Sequence, residues 1–206
     1  MDIKLNLINR SNDHNNSDIV IFSKNVATEY EEPSIAWTVI QNCGLGSHHP
    51  FSYPMASEVA YADSWGNYTA PITALPGQRF EAVKNMSGDV IQLSTEPAAA
   101  PDEIEMANAL EQGAINALVY KDGRVFAQKT GVAPGQKAVF EFKPTIWIGV
   151  VSQIVEGQVM NSAILSAVNT ELSLLGIASA DIVMSGGGNG PEATPFEFTL
   201  ENIVMA

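Results

Sequence analysis

A chain of 206 residues with 46% hydrophobic side chains is long enough to bury a full core, yet only 16% of it is charged, against roughly 25% in an ordinary globular domain. The net charge of −13, from 23 acidic and 10 basic residues, repels phosphate, which excludes nucleic acid as a partner and disfavours anionic lipid. No run is apolar enough to form a transmembrane segment, and the single cysteine, Cys43, excludes an intrachain disulfide framework and reads as a small buried hydrophobe.

In chain order, Ile3–Ile8 alternates apolar and polar residues and predicts a strand rather than the basic and apolar regions of a signal peptide. The expected location is therefore the cytoplasm as synthesised, or outside the cell by export without a cleaved signal peptide. The polar stretch that follows offers Asp13, Asn15 and Asp18 as oxygen donors, which would suit Ca2+, although an Asx-rich turn accounts for the same residues. Strands are expected over Asp18–Ser23 and Ile35–Gln41, with Glu29-Tyr30-Glu31-Glu32 between them as a solvated loop. The stretch from Gly44 to Pro50 has the glycine and proline of a loop. It carries His48 and His49 as further metal candidates near Cys43, but neighbours on an extended chain point to opposite sides.

After a strand at Met55–Ala62, the segment from Tyr61 to Thr69 sets Tyr61, Trp65 and Tyr68 beside Asp63 and Asn67 in a turn-rich stretch. Flat apolar rings with adjacent hydrogen-bonding groups are the mixture that sugar recognition uses, so these five are the candidate ligand-binding residues. The alternative is that the aromatics pack beneath a long loop while the polar residues cap its turn.

Further strands are expected at Arg79–Lys84 and Val90–Ser94, and then one short helix near 102–110, where Asp102 and Glu103 precede Ala, Met and Leu. Asp122-Gly123 between two apolar runs predicts a β-hairpin of Ile115–Lys121 with Arg124–Lys129 through a type I′ turn. Lys137–Phe142, Ile146–Ile154, Glu171–Leu175, Ile182–Ser185 and Phe196–Met205 complete the strands, and the glycines at 186–188 read as a flexible loop. The apolar run Val159–Val168 is equally compatible with a helix and a buried strand. One internal echo links Pro76-Gly77-Gln78-Arg79 with Pro134-Gly135-Gln136-Lys137; it reads either as a shared type II turn entering a strand or as two equivalent ligand sites.

The chain has no Gly-x-Ser-x-Gly elbow, HExxH or CxxC. Glu58-Val59-Ala60-Tyr61-Ala62, the glycine turn at Gly66 and the entry into Arg79–Val83 resemble the middle region of the aegerolysins, small acidic lipid-binding β-sandwich proteins; the likeness assigns no site residues.

The expectation is an all-β, antiparallel β-sandwich of jelly-roll or Ig-like type, a single domain over 1–206 with about ten to thirteen strands. A non-enzymatic binding or self-assembling role fits better than an enzymatic one. The expected partners are further copies of the chain, forming a homo-oligomer, and a neutral glycan or lipid surface. A membrane-acting toxin or virulence component, with 159–175 as its inserting segment, is the alternative; a metal-dependent hydrolase on a jelly-roll scaffold is the second.

Overall fold

A computed structural model describes residues 2–15, 17–28 and 33–206, and the acidic run at 29–32 lies outside the described residues. In chain order the strands are β1 (Ile3–Asn9), β2 (Asp18–Phe22), β3 (Thr38–Ile40), β4 (His48–Tyr53), β5 (Ser57–Ala62), β6 (Ile72–Ala74), β7 (Gln78–Asn85) and β8 (Gly88–Pro97). There follow β9 (Ile104–Asn108), β10 (Ile115–Lys121), β11 (Arg124–Val132), β12 (Lys137–Phe140), β13 (Thr145–Val151), helix α1 (Ser162–Ala167), β14 (Thr170–Ser173), β15 (Ile177–Gly187) and β16 (Thr194–Met205). The protein is all-β with antiparallel pairing predominant, as the alternating runs and frequent turn residues imply.

The sequence treats 1–206 as one domain; the fold gathers it into two compact units, the first of Met1–Ser23, Pro33–Met55 and Pro144–Ala206, the second of Lys24–Glu32 and Ala56–Lys143. The first contains two four-stranded sheets, β16-β15-β1-β4 and β14-β13-β2-β3. Trp37 is fully buried beside β3 and meets Tyr53 and Phe51 of β4 edge-on, with ring centroids 5.8 and 6.3 Å apart, which joins the two sheets. Met160 and Val168 flank α1 and sit in the core with Val20, Phe22 and Ile154, while Ile164 and Leu165 of the helix pack against them. Asn161 caps α1 by accepting from the Ile164 amide at 2.9 Å.

The second unit has sheets β11-β10-β5-β6 and β12-β9-β7-β8. Phe142 bridges them, 4.8 Å from Phe126 of β11 and 6.2 Å from Phe140 of β12. The Asp122-Gly123 hairpin forms as expected, with φ of 54° and 70° at the turn and β10 paired antiparallel to β11.

Four expectations are corrected. The helix near 102–110 is instead a turn followed by β9, every residue of which is buried. Pairing to β7 on one side and β12 on the other satisfies its backbone, and this outweighs the helix preference of Glu, Met and Ala. The single α-helix among the described residues is α1, inside the run whose periodicity left helix and strand open. The expected loop at 44–50 ends as β4, where Pro50 is tolerated because β4 is a sheet edge. The glycine loop at 186–188 is largely strand: β15 runs to Gly187, and the φ of +79° at Gly186 lets the carbonyl of Pro195 approach where a side chain would stand. With β4, β6 and β9 added to the expected set, the strands among the described residues number sixteen rather than ten to thirteen.

The internal echo is a turn. In Leu75–Gln78 and Ala133–Gln136 the glycine has φ near +80° (82° and 78°), and the glutamine carboxamide accepts from the amide three residues back, at 2.8 and 3.4 Å. Val155–Gln158 repeats the device without proline. The two proline copies each place a cation near one buried carboxylate: Lys137 pairs with Glu105 directly, and Arg79, which itself pairs with Glu96, lies across from it in the β7–β9 register. Glu105 is 1% exposed and also accepts from the Ala99 amide. Burial opposes its ionisation, but Lys137, the Ala99 amide and Arg79 together hold the carboxyl below the usual range.

Candidate functional site

The candidate ligand-binding residues all belong to the second unit, where β5 ends and the chain turns toward β6. At the end of β5 the Thr69 hydroxyl accepts from the Tyr61 amide at 3.1 Å, and the Thr69 amide donates back to the Tyr61 carbonyl at 3.0 Å. Inside that clasp, Asp63 holds the turn: one carboxylate oxygen accepts from the amides of Trp65 (2.8 Å) and Asn67 (2.9 Å), the other from the Asn67 side chain (2.7 Å). Hydrogen bonds from Asn67 and from the Trp65 and Gly66 amides keep the Asp63 carboxyl below its ordinary range.

The turn holds two aromatic rings out into solvent, Trp65 at 87% exposure and Tyr68 at 67%, while Tyr61 points inward at 2%. The polar residues therefore cap the turn, but only one of the three aromatics packs beneath it. The hydrogen bonds fix the backbone that carries these rings, so a ligand that covers them need not order the turn as well.

Two open clefts adjoin the turn. The larger, of about 860 Å3, has Trp65 and Ser64 on one side and Leu110, Glu111 and Gln112 on the other. The smaller, of about 380 Å3, is lined by Tyr61, Asp63, Asn67, Tyr68 and Thr69. Lys84 and Asp89 border both clefts; they face each other across the β7–β8 hairpin and form the ridge between them. Sequence reading missed these two residues because they come from a separate hairpin. The only local sign of them is the Asn-Met-Ser-Gly turn at 85–88 that sets Lys84 opposite Asp89.

Tyr61 lines the smaller cleft, and its hydroxyl is buried with no hydrogen-bond partner among the described residues. Burial first, then the charges of Asp89 and Asp63, push the phenol up to about 12, so it remains a protonated donor at neutral pH.

The metal candidates are dispersed in use. Both oxygens of Asp13 accept backbone amides, those of Asn15 and Ser17 at 2.8 Å each, so Asp13 ties an Asx turn of the same kind as Asp63 does. Asn15 contributes that amide, and Asp18 begins β2 opposite Val151. His48 approaches Asn6 at 3.3 Å on β4, and His49 follows it on the same strand. Among the described residues no three His, Cys, Asp or Glu side chains gather into a metal-holding group. Cys43 is buried, which raises its thiol pKa.

Comparison with family models, with curated proteins and with solved structures returns no match. Among the described residues no helix is long and apolar enough to cross a membrane.

Proposed function

We propose that this protein is a non-enzymatic carbohydrate-binding β-sandwich protein whose second unit binds a neutral glycan across the Trp65–Tyr68 turn. The observation that carries the reading is the pair of exposed rings, held by the Asp63 carboxylate beside two clefts that share the Lys84–Asp89 ridge. Stacking faces with charged hydrogen-bonding groups between them suit a chain of sugar rings, each apolar on its C–H face and polar at its rim. The low share of charged residues in the chain, 16%, agrees with an uncharged ligand. In titration calorimetry against cellobiose, lactose, maltose and methyl hexopyranosides, Trp65→Ala should weaken binding by about tenfold or more. Asp63→Ala should also weaken it, by loosening the turn. Wild-type protein that binds none of these sugars would remove the reading.

A second reading, self-assembly, is favoured by β16. It is twelve residues long, forms the edge of its sheet beyond β15, and exposes Ile203, Val204 and Met205 by 47%, 55% and 65%. An edge strand with unpaired amides and an exposed apolar end is a template for a second copy of the same strand. Light scattering should then give a defined oligomer that Ile203→Lys converts to monomer. A wild-type monomer at every concentration tested would discard this reading.

A further inference from the structure

The smaller cleft contains more hydrogen-bonding capacity than the fold uses. Tyr61 is almost fully buried, and a buried hydroxyl without a partner is costly enough that folded proteins seldom leave one unless it serves a ligand. Tyr61 lines this cleft together with Asp63 and Asp89, the two carboxylates whose charges reach its phenol. Lys84 at the rim adds a second donor, and the free lone pairs of Asp89 and of the outer Asp63 oxygen are acceptors.

We infer that the smaller cleft is a subsite for one sugar ring presenting a free vicinal diol, one hydroxyl accepting from Tyr61 and the other from Lys84, while both donate to Asp89 and Asp63. Two donors matched to two acceptors select a group that both donates and accepts at adjacent positions, as neighbouring sugar hydroxyls do. The balance of charge also matters. A phosphate or uronate in place of the diol would meet two carboxylates against one lysine, and a cation would meet that lysine. Tyr68 covers the ring from the exposed side, and the next sugar crosses the Lys84–Asp89 ridge toward Trp65. This inference rests on the glycan-binding reading above and adds the part of the ligand that the cleft recognises.

Tyr61→Phe tests it, because the substitution removes only the hydroxyl. Calorimetry with the same disaccharides and methyl hexopyranosides, together with the deoxy and O-methyl derivatives of whichever binds, measures the effect. The expected result is about a tenfold loss of affinity in Tyr61→Phe, no fall in the melting temperature of the free protein, and little further loss when the accepting hydroxyl of the sugar is also removed. Unchanged affinity in Tyr61→Phe, with wild-type protein binding, overturns this inference and leaves the glycan reading in place. A lower melting temperature accompanying the affinity loss also overturns it, since the hydroxyl would then serve the fold. Failure of wild-type protein to bind any of the sugars overturns both.

Discussion

Gly186→Ala should destabilise the first unit by about 3–5 kcal/mol, the largest effect expected of any single methyl group in this chain. Two costs combine there. The backbone sits at φ +79°, in the left-handed region that side chains disfavour, and the added carbon would press on the Pro195 carbonyl oxygen, with Phe196 Cα 3.3 Å away. Neither neighbour is the flexible end of a side chain: both are backbone atoms of β16, at the point where its register with β15 shifts between Ser185–Glu197 and Gly187–Thr194. Gly190→Ala is the control: its φ is +75° and nothing lies within 4 Å of the added carbon, so it carries the conformational cost alone, of about 1 kcal/mol. Urea unfolding followed by the fluorescence of Trp37 and Trp147, both in this unit, would separate the two variants. Equal losses would mean that the approach of Pro195 relaxes at no cost.

Lys137→Met should remove about 2–3 kcal/mol from the second unit at pH 7. Breaking a buried ion pair usually costs more, but Lys137 is itself 42% exposed and partly screened by water. The methionine keeps most of the aliphatic stem and takes only the charge, so Glu105 is left buried with the Ala99 amide and the more distant Arg79. In the wild type the depressed carboxyl contributes stability that is complete above the ordinary value of 4.5 and disappears as pH falls through its folded value. In the variant the same carboxyl is raised, so acid relieves it by protonation. The gap between the two proteins should therefore begin to narrow above pH 4.5, at the variant's raised value, and go on narrowing until the wild-type carboxyl is protonated too. A gap that stays constant from pH 7 to pH 4 would assign the loss to packing of the lysine stem instead of to charge.

The strands were legible wherever alternation was strong and turn residues bracketed it. Ile115–Lys121 was read to the residue, and the Asp122-Gly123 hairpin followed from the positive φ that both residues tolerate. β9 was misread because Glu, Met and Ala state a local preference, whereas the partners that overrule it, β7 and β12, are brought in by the fold. β4 was hidden by its proline and histidines, which are compatible with a strand only at an edge, and edges are a property of the assembled sheet. The candidate site divides in the same way. The residues from Tyr61 to Tyr68 are contiguous and their chemistry could be read directly. Lys84 and Asp89 join them only because one hairpin lies beside one turn, and the missing partner of Tyr61 is a statement about three dimensions that no spacing in the chain encodes.

The Asp63 knot separates what the turn displays from what holds it. Its carboxylate grips two main-chain amides and one carboxamide, and the Thr69 clasp closes the base, so the side chains at 64, 65 and 68 take no part in the fastening. In the first unit Asp13 likewise grips the amides two and four residues on, through one oxygen each. A lineage carrying this turn is free to exchange those three positions in single steps, and so to change its ligand, without passing through an unfolded intermediate sequence.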